Sequence, residues 1–192
     1  MGDTQVLLWE KQTLRSWGKK RRASLSPDQR KTYSAAICAS LLAYPAFRKA
    51  KRVLTYAAFG AEASVEALSV RCPEKQFYFP LCLPECQMAA LRPLDEEGWT
   101  TGAYGIRTPV PEYSESVEPE ELDLVLVPLV AYDARCRRLG MGKGYYDRYL
   151  PRCTRAVKLG IAFSCQQTGK VPVGKWDWPL DAVVTEKGVL TP

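Results

Sequence analysis

Three glycines, Gly140, Gly142 and Gly144, alternate with Met141 and Lys143 inside the stretch LDLVLVPLVAYDARCRRLGMGKGYYDRYL, residues 122 to 150. Glycine lets a backbone turn sharply and come close to a ligand. Arg137, Arg138 and Lys143 bring positive charge to the same place, and Asp147 follows as a carboxylate able to hold a metal ion. A strand, a glycine turn and a helix N-terminus together suit an anion, because unpaired N–H groups and the helix dipole face the bound charge. The expected occupant is a nucleotide phosphate. The turn is not a Walker A loop, since its first glycine stands too near the lysine and no Ser or Thr follows. It is not GxGxxG either, so a plain strand-to-helix connection is the competing reading.

Other residues carry weaker signals. Lys11 and Arg15 lie four apart and share a helix face, as a ligand contact or as solvated charge. The run Lys19 to Arg22 reads as a solvated basic face. Glu62 falls just past the end of an apolar segment, where open α/β sheets keep their ligands. Asp177 and Asp181 can form a turn and a cap, or face a metal, and the flanking Trp176 and Trp178 read as packing. The seven cysteines are scattered and the chain has no histidine. Cys82 and Cys86 have no second pair to complete a zinc site, so free thiols are expected.

The elements that must position these residues follow from periodicity. A basic N-terminal helix is expected over 5–23, packing on the core. Ser26-Pro27-Asp28-Gln29 is a helix start with Ser as N-cap and Gln three residues on. Tyr33, Ala36, Ile37, Ser40, Leu41 and Tyr44 continue it to Pro45. Arg52 to Phe59 reads as a strand buried on both faces, and Ser64 to Arg71 as a short helix. Strands are expected at 76–79 (stopped by Pro80), 88–94, 122–127, 157–163 and 182–185. Residues 95 to 121 are expected to form a loop with little regular structure. Helices alternating with apolar strands predict a single three-layer α/β/α domain, residues 1–192, around a mostly parallel sheet.

With 192 residues, 46% of them hydrophobic, the chain can bury a substantial core. No apolar run approaches the roughly 20 residues of a membrane span, and no secretory signal is evident, so a cytoplasmic protein is expected. The net charge of +6 suits anionic ligands without choosing among them. Nucleic acid is the less favoured partner, since the basic residues come without a groove-reading motif or spaced aromatic platforms.

The segment VPLVAYDARCRRLGMGKGYYDRYL resembles the 5-formyltetrahydrofolate cyclo-ligase family, with its VP, aromatic-Asp pair, RLG, glycine turn and YYD. Lys11, Arg15, Glu62, Pro80, the Gly105-Ile106-x-x-Pro109 turn, Gly160 to Phe163 and Asp177 to Val189 match in order. The family often has His where this chain has Trp176, Glu where it has Thr108, and an acidic residue where it has Ser64.

The resemblance implies a monomeric ATP- and Mg²⁺-dependent enzyme converting 5-formyltetrahydrofolate to 5,10-methenyltetrahydrofolate, with release of ADP and phosphate. It implies ATP contacts from Lys11, Arg15, Arg138, Leu139, Gly140, Met141, Gly142, Lys143, Gly144, Tyr145 and Tyr146. It implies folate contacts from Ala57, Glu62, Met141, Gly142, Lys143, Gly144 and Tyr145, and Mg²⁺ at Asp147 and Asp177. Arg138 and Lys143 are the expected catalytic pair. A nucleotide-binding α/β protein with another activity, or none, is the alternative.

Overall fold

The computed structural model describes residues 3–192, apart from the side chains of Asp3 and Tyr104. In chain order come α1 (Asp3–Ala23), α2 (Pro27–Ala43), α3 (Pro45–Lys49), β1 (Arg52–Leu54), α4 (Ala67–Arg71), β2 (Gln76–Cys82) and β3 (Met88–Pro93). They are followed by β4 (Trp99–Thr101), β5 (Arg107–Pro109), β6 (Ser114–Val117), β7 (Leu124–Pro128), β8 (Ala131–Tyr132) and β9 (Arg138–Leu139). The chain ends with α5 (Tyr145–Tyr149), β10 (Val157–Ile161), β11 (Ala182–Thr185) and β12 (Gly188–Leu190).

The main sheet has the order β12-β11-β10-β7-β1-β2-β3-β6. From β11 to β2 the neighbours run parallel, while β12 on one side and β3 and β6 on the other are antiparallel. Period-two alternation sorts the central strands: Leu124 and Leu126 face one core, Val125 and Val127 the other. The first core is closed by Ile37, Cys38 and Leu41 of α2, Phe47 of α3 and Leu68 of α4. Tyr149 of α5, with Leu150 and Cys153 after it, closes the second. The result is a three-layer α/β/α fold.

The chain leaves β1 toward β2 on one side and later enters the sheet again at β7 on the other. The switch point therefore lies between β1 and β7. In open α/β sheets ligands sit at such a point, outside the C-terminal ends of the strands.

The N-terminus of α2 forms as its sequence dictates: Gln29 N–H donates to Ser26 Oγ at 3.1 Å, and Ser26 N–H to Gln29 Oε1 at 2.9 Å. Other expectations are corrected. Strand β1 stops at Leu54: after the Thr55 N–H reaches the Tyr78 carbonyl at 2.8 Å, the chain leaves the sheet as irregular loop. Strand β2 runs through Pro80 to Cys82. Beyond Tyr78 only β3 pairs with it, so the N–H that proline lacks has no ladder to serve on that side.

Residues 95 to 121 are not a plain loop. They form the β4–β5 ribbon and the edge strand β6. Strands of three or four residues broken by Pro and Gly show no periodicity to read. Side-chain contacts hold the ribbon instead: Trp99 packs edge-on to Phe79 at 4.7 Å between centroids, and the Arg107 guanidinium lies 4.2 Å over the Trp99 ring.

Candidate active site

Helix α1 lies across the C-terminal ends of the strands. At 100° per residue, Lys11, Arg15, Gly18 and Arg22 fall in one stripe along it. Gly18 makes the docking possible. A Cβ there would stand 2.4 Å from the Val130 carbonyl oxygen, so no side chain fits between α1 and the backbone that follows β7. Leu14 and Trp17 pack beside this contact on a small cluster of Ala131, Leu139 and Val171.

The upper part of the stripe meets the glycine turn. Arg15 Nε donates to the Gly140 carbonyl at 3.0 Å, and Lys11 pairs with the Asp177 carboxylate. Burial pulls the Arg15 guanidinium below its ordinary value, while the Asp177 and Asp147 carboxylates work the other way. Arg138, on β9, is almost wholly buried. Its Nη2 donates to Asp147 Oδ1 at 2.6 Å and its Nη1 to the Trp178 carbonyl. The Trp178 N–H reaches the same Asp147 oxygen at 3.4 Å. Three cations and two carboxylates thus converge on one side of the turn, and Lys143 stands exposed at its tip.

Gly142 and Gly144 adopt φ of +100° and +77°, the left-handed range closed to most side chains. Gly140 has no such φ, so two of the three glycines are required by conformation. Arg15 approaches so closely that a Cβ at Gly142 would lie 3.0 Å from its guanidinium carbon. The helix expected after the turn is there, but it is short. Helix α5 has five residues before Leu150–Arg152 tightens to a 3-10 turn containing Pro151, so its dipole is that of barely a turn. Positive charge at the site comes from side chains.

The lower part of the stripe reaches the loop after β1. Arg22 Nη1 stands 3.4 Å from Glu62 Oε1, and Glu62 Oε2 accepts the Phe59 N–H at 3.1 Å. The basic run is therefore not one solvated face: Lys19, Lys20 and Arg21 are exposed, but Arg22 is buried. Ala57 lies half-buried in the same loop.

The Tyr146 hydroxyl is buried without a hydrogen-bond partner, within electrostatic reach of both Glu62 and Arg138. Burial first, then Glu62, pushes that phenol far above its ordinary value, so it remains a donor. Leu139 is buried beneath the turn, Met141 is exposed on it, and the Tyr145 hydroxyl lies near the Cys82 thiol.

The structure separates the two aspartates of the KWDWPLD segment. Asp177 joins the cluster, whereas Asp181 Oδ2 accepts the Lys158 N–H at 2.7 Å and ties β10 to β11. Sequence reasoning does not single out Tyr56, and it reads Arg22 as part of a solvated face and Cys82 as a free thiol. The tyrosine is legible only in three dimensions, its hydroxyl donating to the Ala63 carbonyl at 2.6 Å beside Glu62. Asp133 was noticed only as part of a motif. Its carboxylate takes N–H groups of Arg135, Arg137 and Val171 at 3.0, 3.2 and 2.9 Å, and Arg137 Nε at 2.7 Å. That network fixes the β8–β9 hairpin from which Arg138 projects.

Among the described residues, no group of three or more His, Cys, Asp or Glu side chains is placed to hold a metal. The two carboxylates near Arg15 are hard oxygen donors, a number that suits a Mg²⁺ sharing its remaining positions with phosphate oxygens and water.

Fold and side-chain cluster together define the class: a layered α/β enzyme scaffold whose charged residues gather beyond the C-terminal ends of its central strands. The chain belongs to the 5-formyltetrahydrofolate cyclo-ligase family, whose model matches residues 8–186. It is 32% identical to the 5-formyltetrahydrofolate cyclo-ligase of Haemophilus influenzae, over 89% of this chain and 95% of the relative. The Escherichia coli K12 enzyme of that name is 29% identical, over 89% and 97%. Among solved structures, the 5,10-methenyltetrahydrofolate synthetase of Aquifex aeolicus superposes with a TM-score of 0.82 at 35% identity, covering 94% of this chain and 92% of that one. The Mycoplasma pneumoniae synthetase gives 0.75 at 26%, covering 92% and 98%.

Proposed function

We propose that this protein converts 5-formyltetrahydrofolate to 5,10-methenyltetrahydrofolate with consumption of ATP. The observation that carries the reading is the row of charged and polar groups along α1, with two distinct ends. Lys11, Arg15, Arg138 and the glycine turn gather positive charge at one end, and Glu62 with Tyr146 offers a carboxylate and a phenol at the other. The cationic end suits a triphosphate, and the polar end suits the hydrogen-bonding edge of a pterin. Tyr145, half-exposed at the turn, supplies a ring on which that pterin can stack.

The chemistry fits these residues. The formyl oxygen attacks the γ-phosphorus and ADP departs. An amide oxygen carries no proton, so no general base is needed. Such a transfer depends on alignment and on neutralised charge. Arg, Lys and backbone N–H groups supply both in a chain without histidine. The phosphorylated formyl carbon then takes the N10 lone pair, and phosphate leaves with the N10 proton as the ring closes. Arg138 and Lys143 are assigned to the transferring phosphoryl group.

Asp147 and Asp177 are the residues that would hold Mg²⁺, which when bound would neutralise phosphate charge. Both carboxylates pair with cations here, Arg138 and Lys11. Those pairs hold the two aspartates in place beside the glycine turn. The test is the absorbance of the methenyl product with and without ATP, and with chelator. Product without ATP, or no product with it, overturns the reading, whereas product that needs ATP and disappears with chelator supports it.

A further inference from the structure

Arg22 does not behave as its neighbours do. In the run Lys19 to Arg22 three residues are exposed, yet Arg22 retains only 7% of its accessible surface. A guanidinium is buried at considerable desolvation cost unless a partner offsets it. The partner is Glu62, whose side chain is itself mostly covered. The 3.4 Å separation is longer than the roughly 2.7–2.9 Å of a settled charge-assisted bond, so the pair can tighten when a ligand fixes the carboxylate.

The backbone contributes on the other side, through the Phe59 N–H on Glu62 Oε2. Glu62 is therefore held from both oxygens, with the phenols of Tyr56 and Tyr146 in its field. Arg21 next door anchors this end of α1, its Nε donating to the Cys165 carbonyl at 3.3 Å. Arg22 thus arrives at Glu62 from a fixed helix end.

We propose that Arg22 is a positioning residue for the folate half of the reaction: it orients the Glu62 carboxylate toward the substrate. The inference rests on the proposed folate role of Glu62. It also joins the two ends of the cleft, because Lys11, Arg15 and Arg22 ride on one helix face. A nucleotide that seats Lys11 and Arg15 then sets the placement of Arg22 as well.

The experiment is a double-mutant cycle on the full chain, read as KM for each substrate and kcat. Arg22→Met is expected to raise the KM for 5-formyltetrahydrofolate about 10-fold or more, on the scale of losing one partner of a buried charge pair. The KM for ATP should stay within about twofold. Arg22→Lys should recover much of the loss, and Arg22→Met should add little to Glu62→Gln. Additive effects in the double variant, or equal rises in both KM values, overturn the proposal. If Arg22→Met does not fold, Arg22→Gln enters the same cycle under the same criteria. Two failures remain separable: a wild type that makes no methenyl product sinks the activity. An active wild type in which Glu62→Gln raises KM and the Arg22 variants do not sinks only the positioning role.

Discussion

The two residues assigned to phosphoryl transfer sit in opposite surroundings, and this separates their effects. Arg138 is buried and bonded to Asp147 and the Trp178 carbonyl. Arg138→Ala is expected to lower kcat by ~10²-fold or more, the scale of one lost transition-state donor. It should also destabilise the fold by about 3 kcal/mol, because Asp147 is left without its partner. Lys143 is exposed at the tip of the turn. Lys143→Ala should lower kcat with the melting temperature unchanged, and kinetics and thermal unfolding on both variants check the contrast. A Lys143→Ala enzyme with normal turnover removes that lysine from the chemistry.

At the scale of elements, α1 is positioned by a residue without a side chain. Ala has the higher helix propensity, by ~1 kcal/mol over Gly, and Gly18→Ala would stabilise an isolated helix. Here its Cβ meets the Val130 oxygen at 2.4 Å, which must force α1 away from the sheet. The variant is expected to melt lower and to lose affinity for both substrates together, since Lys11, Arg15 and Arg22 move with the helix. A variant with wild-type KM values would show that the contact does not set the cleft.

The sequence made most central strands, the capping box and the glycine turn legible, because periodicity and turn chemistry are local. It did not reveal the β4–β5 ribbon, whose stability comes from Trp99 on Phe79, a contact between residues distant in sequence. It also placed Arg22 on a solvated face, since a charge run carries no sign of which member turns inward. Lys11 and Arg15 are joined to Asp147 and Asp177 only through the family resemblance, since no local pattern links residues so far apart in sequence.

For the molecule as a whole, acid should act through carboxylates that brace the sheet. Burial pushes the Asp133 carboxyl up, but the Val171 N–H, the Arg137 side chain and the N–H groups of Arg135 and Arg137 outweigh it, and the group lies below its usual range. Asp123 is lowered as well: burial raises it, and the N–H groups of Arg52 and Lys51 at the start of β1 more than reverse this. A carboxyl with a depressed folded-state pKa stabilises above the unfolded value, about 3.9, and that contribution is lost as pH falls through the folded one. Stability should therefore fall steeply below about pH 4. Asp133→Asn should be less stable at neutral pH and show a flatter acid limb in pH-dependent denaturation. A limb as steep as the wild type's would assign the acid response elsewhere.

The indoles beside Asp177 give the molecule an optical reporter. Trp178 hands its carbonyl to Arg138 and its N–H to Asp147, and Trp176 stands in solvent with Lys175 4.8 Å from its ring. Any anion that draws those cations or carboxylates aside must change the polarity around both rings. Their emission can then follow occupancy of the cleft in real time, without a label or a turnover event.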